Sequence, residues 1–354
     1  MVGDTSDGLL ERHPVNCWWV AATSDEVVQK PLSRVLLGQS VVMFRSGSNS
    51  VTALEDRCAH RWAPLSKGRL IGDEIACPYH GFRYDATGAC THVPTQSHVP
   101  GLLKVRSFPV REHGPFVWIW MGDPARASDD LLPALSWSTD PAYLRLRGYA
   151  EARCSYIAVQ ENLMDDAHFN YLHCPQHVDW REGPNLWPSI PTDILTTERS
   201  VTTVMRIINV QLAPVEAAAM GFGPGKRVNR LGRCTSTPPA CYFAEWEFED
   251  PDSADRSRSN FSLRGLHCMT PIGVGRCHWW WAYIQDYGHH APRAFQSGWE
   301  NILKQDREIL EAIQARREQG GGQPSPPQVL VNSDRALGEL RRVFSWMLES
   351  ELPF

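Results

Sequence analysis

The sequence predicts an α+β protein with an all-β domain followed by a larger domain that mixes strands and helices. Short apolar runs separated by Gly, Ser and Pro turns fill roughly the first 125 residues, with no long helical period. An acidic, Pro-containing connection then follows Gly122–Pro124 and extends to about Pro141. Helical and alternating patterns both occur beyond it. We therefore predict two domains, residues 1–135 and 136–354.

The predicted strands of the first domain are rich in Val, Trp and Phe, which favour a pleated and half-buried surface. They are Trp18–Ala21, Ser40–Phe44, Val51–Leu54 and Phe116–Met121.

The second domain combines segments with helical periodicity and segments with strand-like alternation. The predicted helices are Val159–His173, a long amphipathic helix at Ala294–Gln319, and a terminal helix at Ser333–Glu351. The predicted strands are Ser200–Gln211, Cys241–Phe248 and Arg276–Ile284. A Gly/Pro-rich linker at Gly320–Pro324 follows the long helix.

The composition excludes several classes of function. The 354 residues are 42% hydrophobic and 21% charged, as in an ordinary globular protein. A net charge of -5 without a basic block argues against nucleic-acid binding. The longest apolar runs fall well short of the roughly 20 residues that span a bilayer. The polar segment Met1–Arg12 lacks the features of a signal peptide, and the ten cysteines are too sparse for a disulfide scaffold. We expect a cytoplasmic protein with mostly free thiols.

The strongest motif pairs cysteine with histidine twice. Cys58-x-His60 is followed after 16 residues by Cys77-x-x-His80. Each pair offers one thiolate and one imidazole, which suits a Cys2His2 zinc ion or a [2Fe–2S] cluster with two histidines on one iron. A zinc finger normally places its two cysteines together before its two histidines. The alternating order therefore favours the iron–sulfur cluster, with these four residues as its ligands.

A second constellation lies in the predicted helix Val159–His173. His168 and His173, with acidic residues nearby, can supply two ligands of a 2-His-1-carboxylate Fe(II) site that leaves positions open for O2. An ideal α-helix would place these two side chains about 140° apart. We therefore expect the helix to end or to widen into a π-type turn between them.

The third iron ligand is sought among carboxylates on apolar helix faces. In the predicted long helix, Asp306 lies on an apolar stripe, where a buried carboxylate is costly unless it meets a cation or hydrogen-bond donors. Asp306 is therefore the predicted ligand, and Asp286 is the alternative. The stripe consists of Trp299, Ile302, Leu303, Ile309, Leu310 and Ile313.

With these motifs, the chain resembles the oxygenase components of Rieske non-haem iron oxygenases over nearly its whole length. It is most similar to the group that includes vanillate O-demethylase, toluenesulfonate methyl-monooxygenase and dicamba O-demethylase. The resemblance is carried by Cys58–Arg61, Cys77–Gly81, Val117–Pro124, Asn162–Asp165 with His168 and His173, and Asp306 followed by Ile309–Glu311. One departure is Trp62, where the family often has Gly or Ser.

The resemblance implies a Rieske β-domain joined to a catalytic domain in which an antiparallel sheet wraps a long helix. It implies a homotrimer in which electrons cross between subunits. Asp165 would form the hydrogen-bonded bridge from His168 to the cluster histidine of the neighbouring subunit, and Asn162 belongs to the same catalytic string.

The implied activity is that of a monooxygenase with a Rieske [2Fe–2S] cluster and a mononuclear Fe(II). The electrons would come from a separate ferredoxin or flavin reductase, because the chain has no G-x-G-x-x-G fingerprint of its own for NAD(P)H. We expect hydroxylation of a small aromatic compound or its methyl substituent, which includes O-demethylation.

Three alternatives remain open. They are ring hydroxylation or N-demethylation of a heterocyclic or steroid substrate, a Rieske electron carrier without catalysis, and a structural zinc protein. Residues that could contact a substrate fall into two groups. The aromatic candidates are Trp246, Phe248, Phe261, Trp279, Trp280 and Trp281. The candidates for binding a carboxylate or sulfonate are Arg206, Arg230, Arg233 and Arg264.

Overall fold

The computed structural model describes residues 12–139, 143–173, 192–212, 214–237, 239, 241–253, 259–290, 292–319 and 328–351. The chain divides into two compact units. The first unit holds Pro14–Thr139 and Thr270–Gly273, and the second holds the other described residues. The predicted linker at Gly320–Pro324 lies outside the described residues.

The first unit consists of short strands in three small sheets, with orders β1-β10-β9, β2-β3-β4 and β5-β6-β7-β8. All four predicted strands are confirmed, because each falls within or overlaps an observed one. The strands are β1 (Trp18–Thr23), β2 (Leu32–Leu36), β3 (Gln39–Arg45), β4 (Val51–Glu55), β5 (Arg69–Ile71), β6 (Glu74–Ala76), β7 (Arg83–Tyr84), β8 (Cys90–His92), β9 (Val110–His113) and β10 (Phe116–Trp120).

The predicted connection after Gly122 contains 3-10 turns at Pro124–Arg126, Asp129–Leu131 and Ser136–Thr139. Asp123 begins the first of them, since its carboxylate accepts a hydrogen bond from the backbone N–H of Ala125 at 3.0 Å.

The second unit is built on one large sheet with the order β11-β17-β16-β15-β14-β13-β12. Its strands are β11 (Leu144–Ala152), β12 (Thr192–Thr196), β13 (Val201–Gln211), β14 (Arg227–Thr237), β15 (Cys241–Glu249), β16 (Asn260–Gly273) and β17 (Arg276–Gln285). The predictions of β13, β15 and β17 are confirmed. The strand β11 was not predicted, although Arg, Tyr and Glu alternate in it with Leu, Gly and Ala as in a half-buried strand.

The helices of the second unit are α1 (Tyr156–Met164), α2 (Phe169–Leu172), α3 (Pro214–Ala219), α4 (Pro292–Glu318) and α5 (Arg335–Glu349). The predictions of α4 and α5 are confirmed. The predicted stripe on α4 is only partly correct: Ile302, Leu303 and Leu310 are buried, whereas Ile309 and Ile313 are each more than 40% exposed. None of the helices in the described ranges has the length and apolar character needed to cross a bilayer.

A helix at Val159–His173 that ends or widens between His168 and His173 was predicted, and the position of this break is wrong. Helix α1 ends at Met164, and Asp165 adopts an extended backbone conformation with ψ of 96°. The Asp165 carboxylate then accepts a hydrogen bond from the N–H of Ala167 at 2.9 Å. A 3-10 turn at Asp166–His168 starts there and leads into α2. The aspartate therefore acts as an N-cap inside the segment and divides the helix before His168 rather than after it.

The nine cysteines in the described ranges are free thiols, as predicted, and most of them are buried. Cys241 and Cys268 face each other across β15 and β16 with their sulfur atoms 3.7 Å apart.

Candidate metal centres and substrate cavity

Two tight loops of the first unit share one backbone design. In the first loop the N–H of Cys58 donates to the carbonyl of Ala63 at 2.9 Å, and in the second the N–H of Cys77 donates to the carbonyl of Phe82 at 2.8 Å. Each loop therefore closes five residues after its cysteine, and each carries its histidine between these two ends.

A left-handed residue lies four positions after each cysteine. In the second loop it is Gly81, with φ of 74°, and in the first it is Trp62, with φ of 60°. Both residues donate their backbone N–H to the carbonyl of the loop cysteine. This conformation is uncommon for a bulky side chain and costs on the order of 1–3 kcal/mol. Trp62 is 71% exposed, and its ring contacts the Arg57 guanidinium, 5.0 Å from the ring centroid.

Replacing Trp62 by glycine is expected not to destabilise the first unit. Relief of the left-handed strain, on the order of 1–3 kcal/mol, offsets the loss of an exposed cation–π contact and the greater freedom of glycine in the unfolded chain, each about 0.5–1 kcal/mol. Urea unfolding of the metal-loaded protein measures the change. The matched control is Gly81→Ala, which introduces strain at the same position of the other loop and brings a Cβ within 3.1 Å of Pro94. A loss of more than about 1 kcal/mol in the Trp62 variant would contradict the strain argument.

The four candidate cluster ligands lie with their thiols inward and their imidazoles outward. Cys58 and Cys77 are 2% and 3% exposed, whereas His60 and His80 are exposed, with ring centroids 4.8 Å apart. Burial raises the pKa of the Cys77 thiol, and the neighbouring Cys58 raises it further. Two buried thiols of this kind favour bonding to a metal as thiolates over remaining as free anions. This donor set, two thiols and two imidazoles, fits a [2Fe–2S] cluster.

Tyr84 is a further part of this centre that the sequence analysis did not identify. Its hydroxyl oxygen accepts the backbone N–H of Ala59 at 3.1 Å and lies 3.1 Å from the sulfur of Cys58. The hydroxyl hydrogen is therefore available to Cys58. Burial raises the pKa of Tyr84, with Cys58 adding to the effect, so the hydroxyl stays protonated. A hydrogen bond to a cluster sulfur favours the reduced state and raises the reduction potential.

His168, His173 and Asp306 of the second unit come together although they are distant in sequence. Their potential ligand atoms all lie within 4.8 Å of one another. The Asp306 Oδ1 atom is 3.4 Å from Nε2 of His168 and 3.1 Å from Nε2 of His173. The two histidines come together because they lie at opposite ends of a helix of only one turn, where the backbone departs from a continuous α-helix. His168 and His173 flank the single-turn helix α2, with ring centroids 5.1 Å apart.

The tautomer of His173 and the ionisation of Asp306 suit the binding of a divalent metal. The Nδ1 atom of His173 lies 3.0 Å from Oε1 of Gln305, which can only accept, so Nδ1 carries the hydrogen and Nε2 presents a lone pair. Asp306 is 2% exposed. Burial by itself would raise the pKa of Asp306, but its contacts with the imidazoles of His168 and His173 outweigh burial and lower the pKa to about 2. The carboxylate is therefore ionised, and the set fits a 2-His-1-carboxylate iron site.

Asp286, the alternative third ligand, occupies a different environment. It is exposed, and its two oxygens accept hydrogen bonds from the backbone N–H and the hydroxyl of Ser262 at 2.9 and 2.8 Å. Asn162 and Asp165 instead border the three-residue group. The Asn162 side-chain N–H2 donates to Asp306 at 3.4 Å, and an Asp165 oxygen lies 4.0 Å from Nδ1 of His168.

A cavity opens beside His168 and Asp306. Its lining is mainly apolar and aromatic, and one cationic residue, Arg230, joins the described lining. The other predicted arginines do not line it, and of the predicted aromatic residues only Trp246 does so. Several lining residues were not predicted from the sequence, because β14 and β16 were not predicted as strands and no motif marks a cavity wall. The apolar and aromatic lining residues are Leu163, Phe169, Tyr242, Ala244, Trp246, Leu263, Tyr283, Trp299, Ile302 and Leu303.

Arg230 is held on an aromatic surface. Its guanidinium lies 4.0 Å from the ring centroid of Trp246 and 5.0 Å from that of Phe248. The Trp246 ring crosses Gly232, where a Cβ would approach it to 2.3 Å. The Nε atom of Arg230 is buried and has no hydrogen-bond partner among the described residues. A buried donor of this kind favours a ligand that supplies an acceptor.

Comparison with known proteins gives matches over both units. The Rieske [2Fe-2S] domain family matches residues 17–109, and the vanillate O-demethylase oxygenase C-terminal domain family matches residues 152–350. The oxygenase component of dicamba O-demethylase from Stenotrophomonas maltophilia is 31% identical over 319 residues, which cover 85% of this chain and 88% of that protein. The vanillate O-demethylase oxygenase subunit of a Pseudomonas species is 32% identical over 347 residues, 96% of each chain.

The fold has a close counterpart among solved structures. The crystal structure of dicamba monooxygenase bound to 3,6-dichlorosalicylic acid superposes with a TM-score of 0.83 at 28% identity, covering 96% of this chain and 99% of that chain.

Proposed function

The chain belongs to the Rieske non-haem iron oxygenases, and from this premise we propose that it hydroxylates a methyl substituent of an aromatic acid. If the methyl group is bound to oxygen, the hydroxylated product collapses to a phenol and formaldehyde. The observation that carries the proposal is the position of Arg230 in an aromatic cavity beside the His168, His173 and Asp306 group. The buried Nε–H of this cation meets no acceptor in the described part of the chain.

The two cofactors are a Rieske [2Fe–2S] cluster and a mononuclear iron, which supply single-electron transfer and O2 activation when bound. We propose that Cys58, His60, Cys77 and His80 hold the first. We propose that His168, His173 and Asp306 hold the second, with the Gln305 hydrogen bond fixing the tautomer of His173. The protein contributes ligand geometry, substrate orientation and exclusion of water.

Different residues of the cavity wall can bind different parts of an aromatic acid. The side chains of Trp246, Trp299 and Leu263 line the cavity and can exclude water from a bound aromatic ring. Arg230 can then pair with a carboxylate or sulfonate at one end of the ring. Such a pairing orients the ring and determines which substituent lies next to His168 and Asp306.

We further propose the assembly and location that the sequence analysis predicted. The protein works as a homotrimer, with Asp165 forming the bridge between subunits, and receives electrons from a separate ferredoxin or flavin reductase. It acts in the cytoplasm, where a reducing environment keeps its thiols free. Its functional division lies at residues 1–135 and 136–354.

Metal analysis followed by a turnover assay tests this function. Anaerobically purified protein is reconstituted with Fe(II), and iron, acid-labile sulfide and zinc are measured together with the EPR spectrum after reduction. Three irons and two sulfides per chain are expected, with formaldehyde released from methoxybenzoates in the presence of a surrogate reductase. Two irons after reconstitution, without turnover, would identify an electron carrier instead. Zinc without sulfide would identify a structural zinc protein.

Replacing Arg230 by glutamine is expected to weaken binding of aromatic acids by about 10- to 100-fold, because a charge-assisted hydrogen bond contributes roughly 1.5–3 kcal/mol. Dissociation constants of the methoxybenzoates are compared with those of the corresponding neutral methoxybenzamides. The affinity for the neutral methoxybenzamides should change little, because they carry no charge to pair with Arg230. Arg233→Gln is the matched control, since Arg233 lies on the same strand but is exposed. An equal loss for acids and amides would show that Arg230 shapes the cavity without binding the anion.

A further inference from the structure

We propose that Tyr283 determines specificity by donating its hydroxyl hydrogen to an oxygen atom of the substrate, and that Trp279 and His267 position this hydroxyl as a donor. The inference rests on the proposed function, because Tyr283 lines the same cavity. It adds a recognition element that is independent of Arg230 and of the metal-binding residues.

Trp279 fixes the direction of the first hydrogen bond. Its indole Nε1 donates to Nδ1 of His267 at 3.0 Å. An indole nitrogen has a hydrogen and no acceptor lone pair, so the direction of this bond is fixed. Nδ1 of His267 must therefore be the unprotonated nitrogen of the imidazole. The hydrogen of the neutral ring then resides on Nε2.

The second bond follows from the first. Nε2 of His267 lies 2.9 Å from the hydroxyl oxygen of Tyr283. Because Nε2 carries the hydrogen, it donates and the hydroxyl oxygen accepts. The reverse direction would leave the imidazole with no hydrogen on either nitrogen. Burial also keeps this ring neutral, since it lowers the pKa of His267 to about 3 against the opposing influence of Asp306.

The hydroxyl hydrogen of Tyr283 is thereby directed away from His267. In the described part of the chain, His267 is the hydrogen-bond partner found for this hydroxyl. Burial, reinforced by the charge of Asp306, raises the pKa of Tyr283 well above its usual value, so the group remains a protonated donor. A buried donor without an acceptor is costly, and the cavity is where a substrate oxygen can meet it.

The Tyr283 ring has little freedom to turn this donor elsewhere. It stacks on Trp299 with centroids 3.9 Å apart and planes inclined by 12°. On the adjoining strand, a Cβ on Gly265 would approach the ring to 2.8 Å, so the glycine makes room for it. The ring is therefore held between α4 and the sheet, and a fixed donor selects an acceptor at one place on the bound ring.

The test compares oxygen with carbon at one position of the ligand. Dissociation constants of ortho-, meta- and para-methoxybenzoate are measured on the iron-loaded protein against the three ethylbenzoates, which replace the ether oxygen by a methylene group. We expect the wild-type protein to prefer the methoxy member of at least one pair. Tyr283→Phe should reduce that preference by about five- to tenfold, as expected for one neutral hydrogen bond, and should leave the binding of ethylbenzoates unchanged.

Variants of His267 test the hydrogen-bond relay itself, which runs from Trp279 through His267 to Tyr283. His267→Gln preserves its direction, because the amide oxygen can accept from Trp279 while the amide N–H2 donates to Tyr283. His267→Glu reverses it, because a carboxylate only accepts, and the tyrosine must then turn its hydrogen toward the glutamate. We expect the glutamine variant to keep the oxygen preference within about twofold and the glutamate variant to lose it as Tyr283→Phe does. The Tyr283→Phe/His267→Glu double variant should lose no more of the oxygen preference than either single variant does. The iron content of each variant verifies that it keeps its metal.

The outcomes separate this inference from the proposed function. If Tyr283→Phe leaves the oxygen preference unchanged while Arg230→Gln still weakens the acids, the relay is overturned and the proposed function stands. If Tyr283→Phe reduces the preference but His267→Gln does so equally, Tyr283 recognises the oxygen without direction from His267, which overturns the positioning role. If no methoxybenzoate binds to the wild-type protein, both proposals are overturned.

Discussion

Replacing Asp306 by alanine is expected to release the mononuclear iron and to lower turnover by more than about 100-fold, while the [2Fe–2S] cluster remains. The carboxylate is the single anionic member of the group it forms with His168 and His173. Its loss leaves two neutral imidazoles, which hold a divalent ion far less tightly than the full set. Substitution of residues that only hydrogen-bond to metal ligands already costs 10- to 100-fold in metal affinity, so removal of a ligand itself should cost more.

The measurement is the ratio of iron to acid-labile sulfide, taken with the visible spectrum of the cluster. The ratio should fall from three irons to two irons per two sulfides, and the visible spectrum should not change. Asp286→Ala is the matched control, because Asp286 was the alternative ligand and its carboxylate already binds Ser262. Full iron content in the Asp306 variant, or iron loss in the Asp286 variant, would move the third ligand away from Asp306.

Replacing His80 by cysteine is expected to lower the reduction potential of the cluster by on the order of 100 mV or more and to slow turnover severely. Clusters with two histidines have potentials of about −150 to +300 mV, against about −400 mV for the plant-type clusters with four cysteines. A thiolate in place of one imidazole adds negative charge to the cluster, which disfavours the reduced state. The cluster would then accept electrons from the same donor less readily.

Potentiometric titration followed by EPR measures this change. His92→Cys is the control. His92 is an exposed histidine on β8, in the sheet whose strands β6 and β7 flank the loop of His80, and it has no predicted ligand role. It should keep the wild-type potential and rate. An unchanged potential in the His80 variant, with the cluster still assembled, would mean that His80 does not bind an iron.

The motifs that could be predicted from the sequence are those whose chemistry depends on residue type and spacing. The order of Cys58, His60, Cys77 and His80 favoured an iron–sulfur cluster over zinc. The apolar stripe on the long helix, which the structure buries in part, predicted Asp306 as the third iron ligand. The sequence did not reveal the helix break at Asp165, because an aspartate within an apolar period is compatible with both a polar face and an internal N-cap. Only the backbone shows which applies.

The cavity was the least predictable part. Its walls come from strands whose alternation is obscured by charged residues, and from cross-strand packing such as the Trp246 ring over Gly232. No spacing rule links Trp279, His267 and Tyr283, because their bonds join side chains on neighbouring strands. Tyr84 was missed for the same reason, since its contact with Cys58 depends on how two loops meet.

If His168, His173 and Asp306 hold iron as proposed, the metal is a cross-link within the second unit. Two of the proposed ligands lie at the two ends of the single turn α2, which follows the break at Asp165 and is too short to be stable as an isolated helix. The third ligand is anchored in the long helix α4. Iron binding should therefore be thermodynamically linked to the order of this turn. Removal of iron is expected to accelerate amide hydrogen exchange in Asp166–Leu172 while α4 retains its protection, so that metal loss weakens the catalytic unit locally before it unfolds as a whole.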